Sequence, residues 1–323
     1  MLEMFGHKKQ PTVTLSNGVE MPLLGFGTWQ SNDEAGKEAV KEAVRAGYRL
    51  IDTASIYENE GMIGQALQEL YDEGVVKRED IFITTKLWIE KAHPDKHLAA
   101  IENALQLLGT SYVDLFLMHM PPLMHDDLAI EDVWQGIERL YDLGLTRAIG
   151  VSNCSFKQME RIRKIAKTPI HNTQNECHVY FPCHDLQAYC KLHNISLTSY
   201  ATLGSANREA FQMFKWVKGN PSPLANPTVQ LIAERHGKSP AQVLLRYMLE
   251  RGIATIPKAS TPQRIRENID ILDFHLSTEE VKKLGSLKEH IRYFVFQEFK
   301  DHPEYPFHQC GAARQAIDAM NGY

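Results

Sequence analysis

Eight short runs of strand-forming residues recur along the chain, each followed by a turn and an amphipathic helical stretch. This alternation restricts the fold more than any other feature. The runs are Leu23–Gly27, Arg49–Asp52, Ile81–Lys86, Val113–His119, Ala148–Val151, Asn172–Asn175, Ser196–Tyr200 and Ile253–Ile256. Helical spacing occupies 33–46, 59–72, 94–108, 130–142 and 155–166 between them; Ile101, Leu105 and Leu108 share one face. A strand and its helix take about 30 residues, the length of a βα unit. Eight such units predict an α/β fold, a single (β/α)8 TIM barrel that uses residues 1–323 as one domain. A doubly wound dinucleotide-binding sheet is the alternative, but it calls for G-x-G-x-x-G after the first strand. Gly25-Phe26-Gly27-Thr28-Trp29-Gln30 lacks the third glycine, so its glycines read as a tight strand end.

Three segments stand outside the repeat. Residues 12–21 read as an N-terminal β-hairpin with Asn17-Gly18 at its turn. Tyr200 and Lys258 are 58 residues apart, nearly two units, and the surplus at 203–226 carries Phe211, Phe214 and Trp216. It reads as a lid over the barrel mouth or as a plain surface loop. The tail, 287–323, is rich in aromatics (Tyr293, Phe294, Phe296, Phe299, Tyr305, Phe307) up to Phe307, and Gly311 to Tyr323 carry no readable role.

Composition narrows the function classes. Hydrophobic residues make up 43% and charged residues 23% of 323, the balance of a globular protein. No stretch approaches the ~18 consecutive apolar residues of a membrane span, and the N-terminus lacks a signal peptide's apolar core, so a cytoplasmic protein is expected. Lys+Arg 35 against Asp+Glu 40 gives −5, no footprint for nucleic acid or an anionic membrane. Five cysteines, an odd number, fit reduced thiols better than a disulfide framework. Cys177, His178, Cys183, His184 and Cys190 cluster, yet their spacing matches no common zinc pattern. Buried thiols are the preferred reading, and no metal is expected.

In a barrel, chemistry collects at the C-terminal ends of the strands. Those ends carry Asp52, Lys86, His119, Asn153, Gln174, Tyr200 and Lys258, and the first four are 34, 33 and 34 residues apart. Adjacent strands lie ~4.8 Å apart, so Asp52, Lys86 and His119 converge at one rim, with Tyr57 on the loop above Asp52. Each residue alone also fits a helix cap, a rim lysine, a packed histidine or a wall aromatic. Three ionisable groups at consecutive strand ends, however, would be costly to desolvate without mutual pairing. As a set they describe a phenol tuned by an ammonium: Lys86 is expected to lower the Tyr57 pKa, Asp52 to hold Lys86, and His119 to orient a substrate oxygen. The result is a general acid aimed at a carbonyl. No G-x-S-x-G nucleophile competes.

The sequence from about Thr12 to Phe307 resembles the aldo-keto reductases, specifically the aldose/aldehyde reductase-like branch. The motifs that carry the resemblance are Gly47-Tyr48-Arg49-Leu50-Ile51-Asp52-Thr53-Ala54 with Tyr57, Asn59 and Glu60; Ile149-Gly150-Val151-Ser152-Asn153; Glu176-Cys177-His178; and Ile256-Pro257-Lys258 with Arg264, Ile265, Glu267 and Asn268. The resemblance implies a monomeric, metal-free reductase of small aldehydes and ketones that uses NADP(H), with Asp52, Tyr57, Lys86 and His119 as its catalytic tetrad. It further implies that Ser152, Asn153 and Gln174 bind the nicotinamide carboxamide and that Tyr200 stacks on its ring. Leu203 and Ser205 would cover the pyrophosphate, and Lys258 and Arg264 would face the 2′-phosphate. Glu267 and Asn268 would face adenine, and Gly27, Thr28, Trp29, Asp52, Ser260 and Thr261 complete the cofactor set. The substrate wall would include Trp29, Tyr57, Trp88, His119, Met120 and tail aromatics.

The chain also departs from the family pattern. Ala259 follows Lys258 where a serine is usual, Ala201-Thr202 replaces Ser-Pro, and Met120 follows His119 where tryptophan is common. Only about ten residues join His119 to the helix near Ile130, so a more open pocket is expected. A rival reading keeps the fold and drops turnover: a cofactor-sensing regulatory or structural protein.

Overall fold

A computed structural model describes residues 10–320; the ends of the chain, including the last three residues of the 287–323 tail, lie outside the described residues. Eight parallel strands stand side by side in chain order: β3 (Phe26–Gly27), β4 (Leu50–Asp52), β5 (Phe82–Leu87), β6 (Leu115–Met118), β7 (Ile149–Ser152), β8 (Asn172–Glu176), β9 (Ser196–Tyr200) and β10 (Ala254–Thr255). The ring closes where the Gly25 N–H donates to Thr255 O and the Thr255 N–H to Leu23 O, each at 2.8 Å. All eight expected runs are therefore strands of one (β/α)8 barrel. Its closure explains the early glycines: a Cβ on Gly27 would lie 2.5 Å from Ile256 O. Gly150 is under the same constraint, since a Cβ there would lie 2.2 Å from Asn172 O.

Helices α1 (Glu34–Ala46), α2 (Glu60–Asp72), α3 (His97–Leu108), α4 (Ile130–Asp142), α5 (Phe156–Ile165) and α6 (His184–Leu192) follow β3 to β8 in turn. Their ends are written in the sequence: the Asp33 side chain accepts the Gly36 N–H, and Gly47 ends α1 at φ 109°. The long connection after β9 holds the loop 203–226 and an additional helix, α7 (Pro227–His236), before α8 (Pro240–Glu250). The surplus of nearly a unit is therefore a loop plus a helix. After β10 come α9 (Pro262–Ile269), which packs beside α1, then α10 (Thr278–Leu284) and, in the tail, α11 (Gly311–Met320).

The hairpin, β1 (Thr12–Thr14) and β2 (Glu20–Pro22), is as expected, with a five-residue connection whose Gly18 takes φ +86°. Its Met21 is buried, with Sδ 3.9 Å from Asn172 Nδ2 at the start of β8, and Asn17 Nδ2 donates to Arg147 O before β7. The hairpin thus covers the N-terminal end of the barrel. The C-terminal end is left for the loops that carry polar side chains.

Candidate active site

Asp52 ends β4 and Lys86 lies near the end of the adjacent strand β5, and both are buried. The Lys86 ammonium donates to Asp52 Oδ1 at 2.5 Å and to Thr53 O at 2.8 Å. Gln174 Nε2 donates to Asp52 Oδ2 at 2.7 Å, so both carboxylate oxygens are held. Tyr57 closes a single 3-10 turn, Ser55–Tyr57, directly above this pair. Asn59 fixes that turn by donating to Thr28 O and Ser31 O and accepting from Thr53 Oγ1 at 2.6 Å. The Tyr57 ring lies 5.2 Å from Lys86 Nζ and meets the His119 ring edge-on at 5.7 Å. His119 follows β6 and packs against Trp88 at 5.1 Å, with its Nδ1 buried and without a hydrogen-bond partner among the described residues.

Burial governs the protonation of this group. It pushes the Tyr57 phenol well above its ordinary pKa, and the Asp52 carboxylate adds to the effect. It lowers the Lys86 ammonium, against which Asp52 acts. It holds His119 well below the usual histidine range, helped by the charge of Lys86. The net shift of Tyr57 is therefore upward, opposite to the lowering expected from Lys86 alone. Lys86 is already paired with Asp52, so desolvation outweighs it, and the phenol keeps its proton at neutral pH beside a neutral imidazole.

Next round the ring, Ser152 Oγ donates to Gln174 O at 2.7 Å. Asn153, at φ 57°, donates to His119 O at 2.9 Å and accepts from the Tyr200 hydroxyl at 2.6 Å. These groups floor a cavity of about 670 Å³. One end is lined by Leu203, Ser205, Lys258, Ser260, Arg264, Glu267 and Asn268, and the other by Trp29, Trp88, Met120 and Phe294; Gly27 and Thr28 also face it. Of the expected site residues, only Lys86 and Thr261 do not line it. Lys86 lies behind Asp52, and Thr261 caps α9, its Oγ1 accepting the Arg264 N–H at 3.4 Å.

The loop 203–226 arches across the cavity: Gln30 Nε2 donates to Asn207 O at 3.3 Å, and Phe211 and Trp216 pack against Trp29 at 5.4 and 6.3 Å. Of the tail aromatics expected in the wall, Phe294 and Phe296 line the cavity; lining by Ile56, Phe211, Phe214 and Trp216 was not assigned from sequence, although aromatic density in the loop was the available signal. Glu176 was missed in its real role. Fully buried at the end of β8, it accepts from the Tyr293 N–H at 2.6 Å, the Phe294 N–H at 3.0 Å and His178 Nε2 at 2.9 Å, with Arg292 Nε 3.4 Å away. It thereby pins the tail that places Phe294 against Tyr200, Trp29 and Trp216.

The Cys177–His178–Cys183 group is engaged otherwise. His178 serves Glu176, the Cys183 thiol donates to Glu176 O at 3.1 Å, and that of Cys177 to Pro182 O at 3.6 Å. Cys190 is buried, as is Cys177. A different trio, His93, His125 and Asp127, brings possible metal donors together and was not foreseen, because its members come from two separate loops.

A family model described as the aldo/keto reductase family matches residues 23–289. Prostaglandin F synthase 1 of Bos taurus is 38% identical over 322 residues, covering 93% of this chain and 98% of that protein. Rho crystallin of Aquarana catesbeiana is 39% identical over 323 residues, with 93% and 98% covered. A crystal structure of a Bombyx mori aldo-keto reductase in complex with NADP superimposes with a TM-score of 0.85 at 34% identity, covering 93% of this chain and 99% of that one.

Proposed function

Because the chain belongs to the aldo/keto reductase family, we propose that it reduces small aldehydes and ketones to alcohols with NADPH, Tyr57 acting as the general acid. The observation that carries this reading is the arrangement on the cavity floor, where the Tyr57 ring lies 5.2 Å from the ammonium of the buried Lys86–Asp52 pair and edge-on to His119 at 5.7 Å.

The residues suit the cofactor. Lys258 and Arg264 line one end of the cavity at the start of α9, and neither enters an ion pair with a carboxylate among the described residues. Burial lowers the Lys258 pKa, and Asp33 nearby offsets this. Two such cations at a helix N-terminus suit a phosphate. Ser152, Asn153 and Gln174 offer hydroxyl and amide groups for a carboxamide, and Tyr200 offers a ring face. Bound NADPH supplies the hydride that the carbonyl carbon receives.

The protein's part is proton transfer and positioning. A carbonyl oxygen lodged between Tyr57 and His119 accepts a hydrogen bond from the phenol. As negative charge develops on it, Tyr57 gives up its proton. The phenolate left behind is in an apolar site where it would be costly, and the Lys86 ammonium offsets that cost. Asp52 keeps Lys86 aimed, and Gln174 keeps Asp52 aimed. Lys86 thus acts on the state formed by proton transfer, which is consistent with a resting phenol that stays protonated.

The wall of Trp29, Trp88, Phe214, Trp216, Phe294 and Phe296 favours apolar carbonyl compounds over sugars. We read the protein as a monomeric cytosolic enzyme; its five free cysteines suit a reducing compartment. No helix among the described residues is long and apolar enough to cross a membrane. Likeness to a crystallin supports a second reading, a cofactor-binding protein with little turnover. Following NADPH oxidation across a panel of aldehydes, ketones and sugars separates the two. Turnover of apolar aldehydes is expected, whereas tight NADPH binding without turnover of any compound selects the second.

A further inference from the structure

His93 lies on the segment between β5 and α3, and His125 and Asp127 lie on the short connection between β6 and α4. One donor atom from each lies within 4.8 Å of the other two. The two imidazoles meet edge-on at 4.5 Å, and His93 Nε2 is 3.8 Å from Asp127 Oδ1. His125 Nε2 lies 2.7 Å from Ile89 O, and a carbonyl can only accept, so Nε2 carries the proton and Nδ1 keeps the lone pair. A histidine that donates one ring N–H to a backbone carbonyl is held as metal-ligating histidines usually are.

We propose that His93, His125 and Asp127 form a site for a borderline divalent metal of the zinc class, outside the reductase centre. Two imidazoles and one carboxylate suit such an ion, whereas Mg²⁺ and Ca²⁺ prefer all-oxygen sets. Tetrahedral binding at about 2.0–2.2 Å needs donors roughly 3.3–3.5 Å apart, so the trio must contract. Asp127 and His93 can move toward the anchored His125, their side chains being 77% and 30% exposed. Water fills the fourth position. The metal would staple together two loops whose neighbouring residues, Trp88 and Met120, face the substrate end of the cavity, and which His125 already joins through Ile89.

The test is titration of untagged protein with ZnCl2 by calorimetry, paired with thermal unfolding and with the absorption spectrum of the Co²⁺ form. One equivalent of Zn²⁺ is expected to bind with micromolar affinity and raise Tm. His93→Gln and Asp127→Asn, which leave the His125–Ile89 bond in place, should each weaken binding at least tenfold. The Co²⁺ spectrum should lack thiolate charge-transfer bands. Wild-type affinity in both variants, thiolate bands in the spectrum, or no binding below millimolar Zn²⁺ would each overturn the proposal.

Discussion

The ammonium of Lys86 and the carboxylate of Asp52 lie 2.5 Å apart, with neither side chain more than 3% exposed. A buried pair contributes little net stability, yet breaking it leaves an uncompensated charge and costs about 3–5 kcal/mol. Lys86→Met is therefore expected to lower Tm and abolish turnover together. Adding Asp52→Asn should recover much of the Tm and none of the turnover. Thermal unfolding beside single-turnover rates separates the two effects. Recovery of activity in the double variant would contradict a role for Lys86 in the proton step.

On the proposed reading, cofactor choice rests on Lys258 and Arg264, which line the cavity together. Ala259 removes one hydroxyl donor, worth about 1 kcal/mol, while each retained charge-assisted bond contributes about 1.5–3 kcal/mol, roughly 10- to 150-fold in affinity. NADPH is expected to bind more tightly than NADH, and Arg264→Ala to weaken NADPH at least tenfold while sparing NADH. Quenching of tryptophan fluorescence measures both; equal wild-type affinities would count against the assignment.

Glu176 holds the tail through the Tyr293 and Phe294 amides. In Glu176→Gln an amide NH2 replaces one acceptor and faces donors, which frees the segment that carries Phe294. KM for bulky aromatic aldehydes should rise several-fold, with propanal turnover and NADPH affinity little changed. Phe294→Ala should reproduce the pattern. An equal loss for small and large substrates would mean that Glu176 supports the barrel in general.

The architecture was legible because a barrel repeats one strand–helix unit, and strand ends such as Asp52, Lys86, His119 and Gln174 inherit their place from that repeat. What was not legible depends on contacts distant in sequence. Glu176 meets Tyr293 across 117 positions, and Trp29 meets Trp216 through an arched loop whose path no local pattern specifies. The direction of the Tyr57 pKa shift is not legible for a related reason: sequence places Lys86 beside it but does not show how completely the phenol is desolvated.

His171 is expected to make the fold sensitive to acid. It is buried, Nδ1 accepts the Ile149 N–H at 3.0 Å, and burial lowers its pKa to about 4. Below the unfolded value of ~6.5 the unfolded chain takes up the proton first, so stability falls as pH drops from about 6.5 to about 4 and levels off below. The contribution is of order 3 kcal/mol. His171→Asn keeps an acceptor for Ile149 and cannot titrate there, so its Tm should fall less steeply across that window. Parallel Tm curves for the two proteins would place the sensitivity elsewhere.

The most direct test of the central claim is the rate of carbonyl reduction by Tyr57→Phe. The substitution removes the phenolic hydroxyl and keeps the ring that packs against His119. General acid catalysis contributes about 10²–10⁴-fold. The rate for an apolar aldehyde at neutral pH should fall by at least 10²-fold, with NADPH affinity and Tm near wild type. A Tyr57→Phe enzyme that reduces the same aldehyde at the wild-type rate would show that the proton comes from elsewhere.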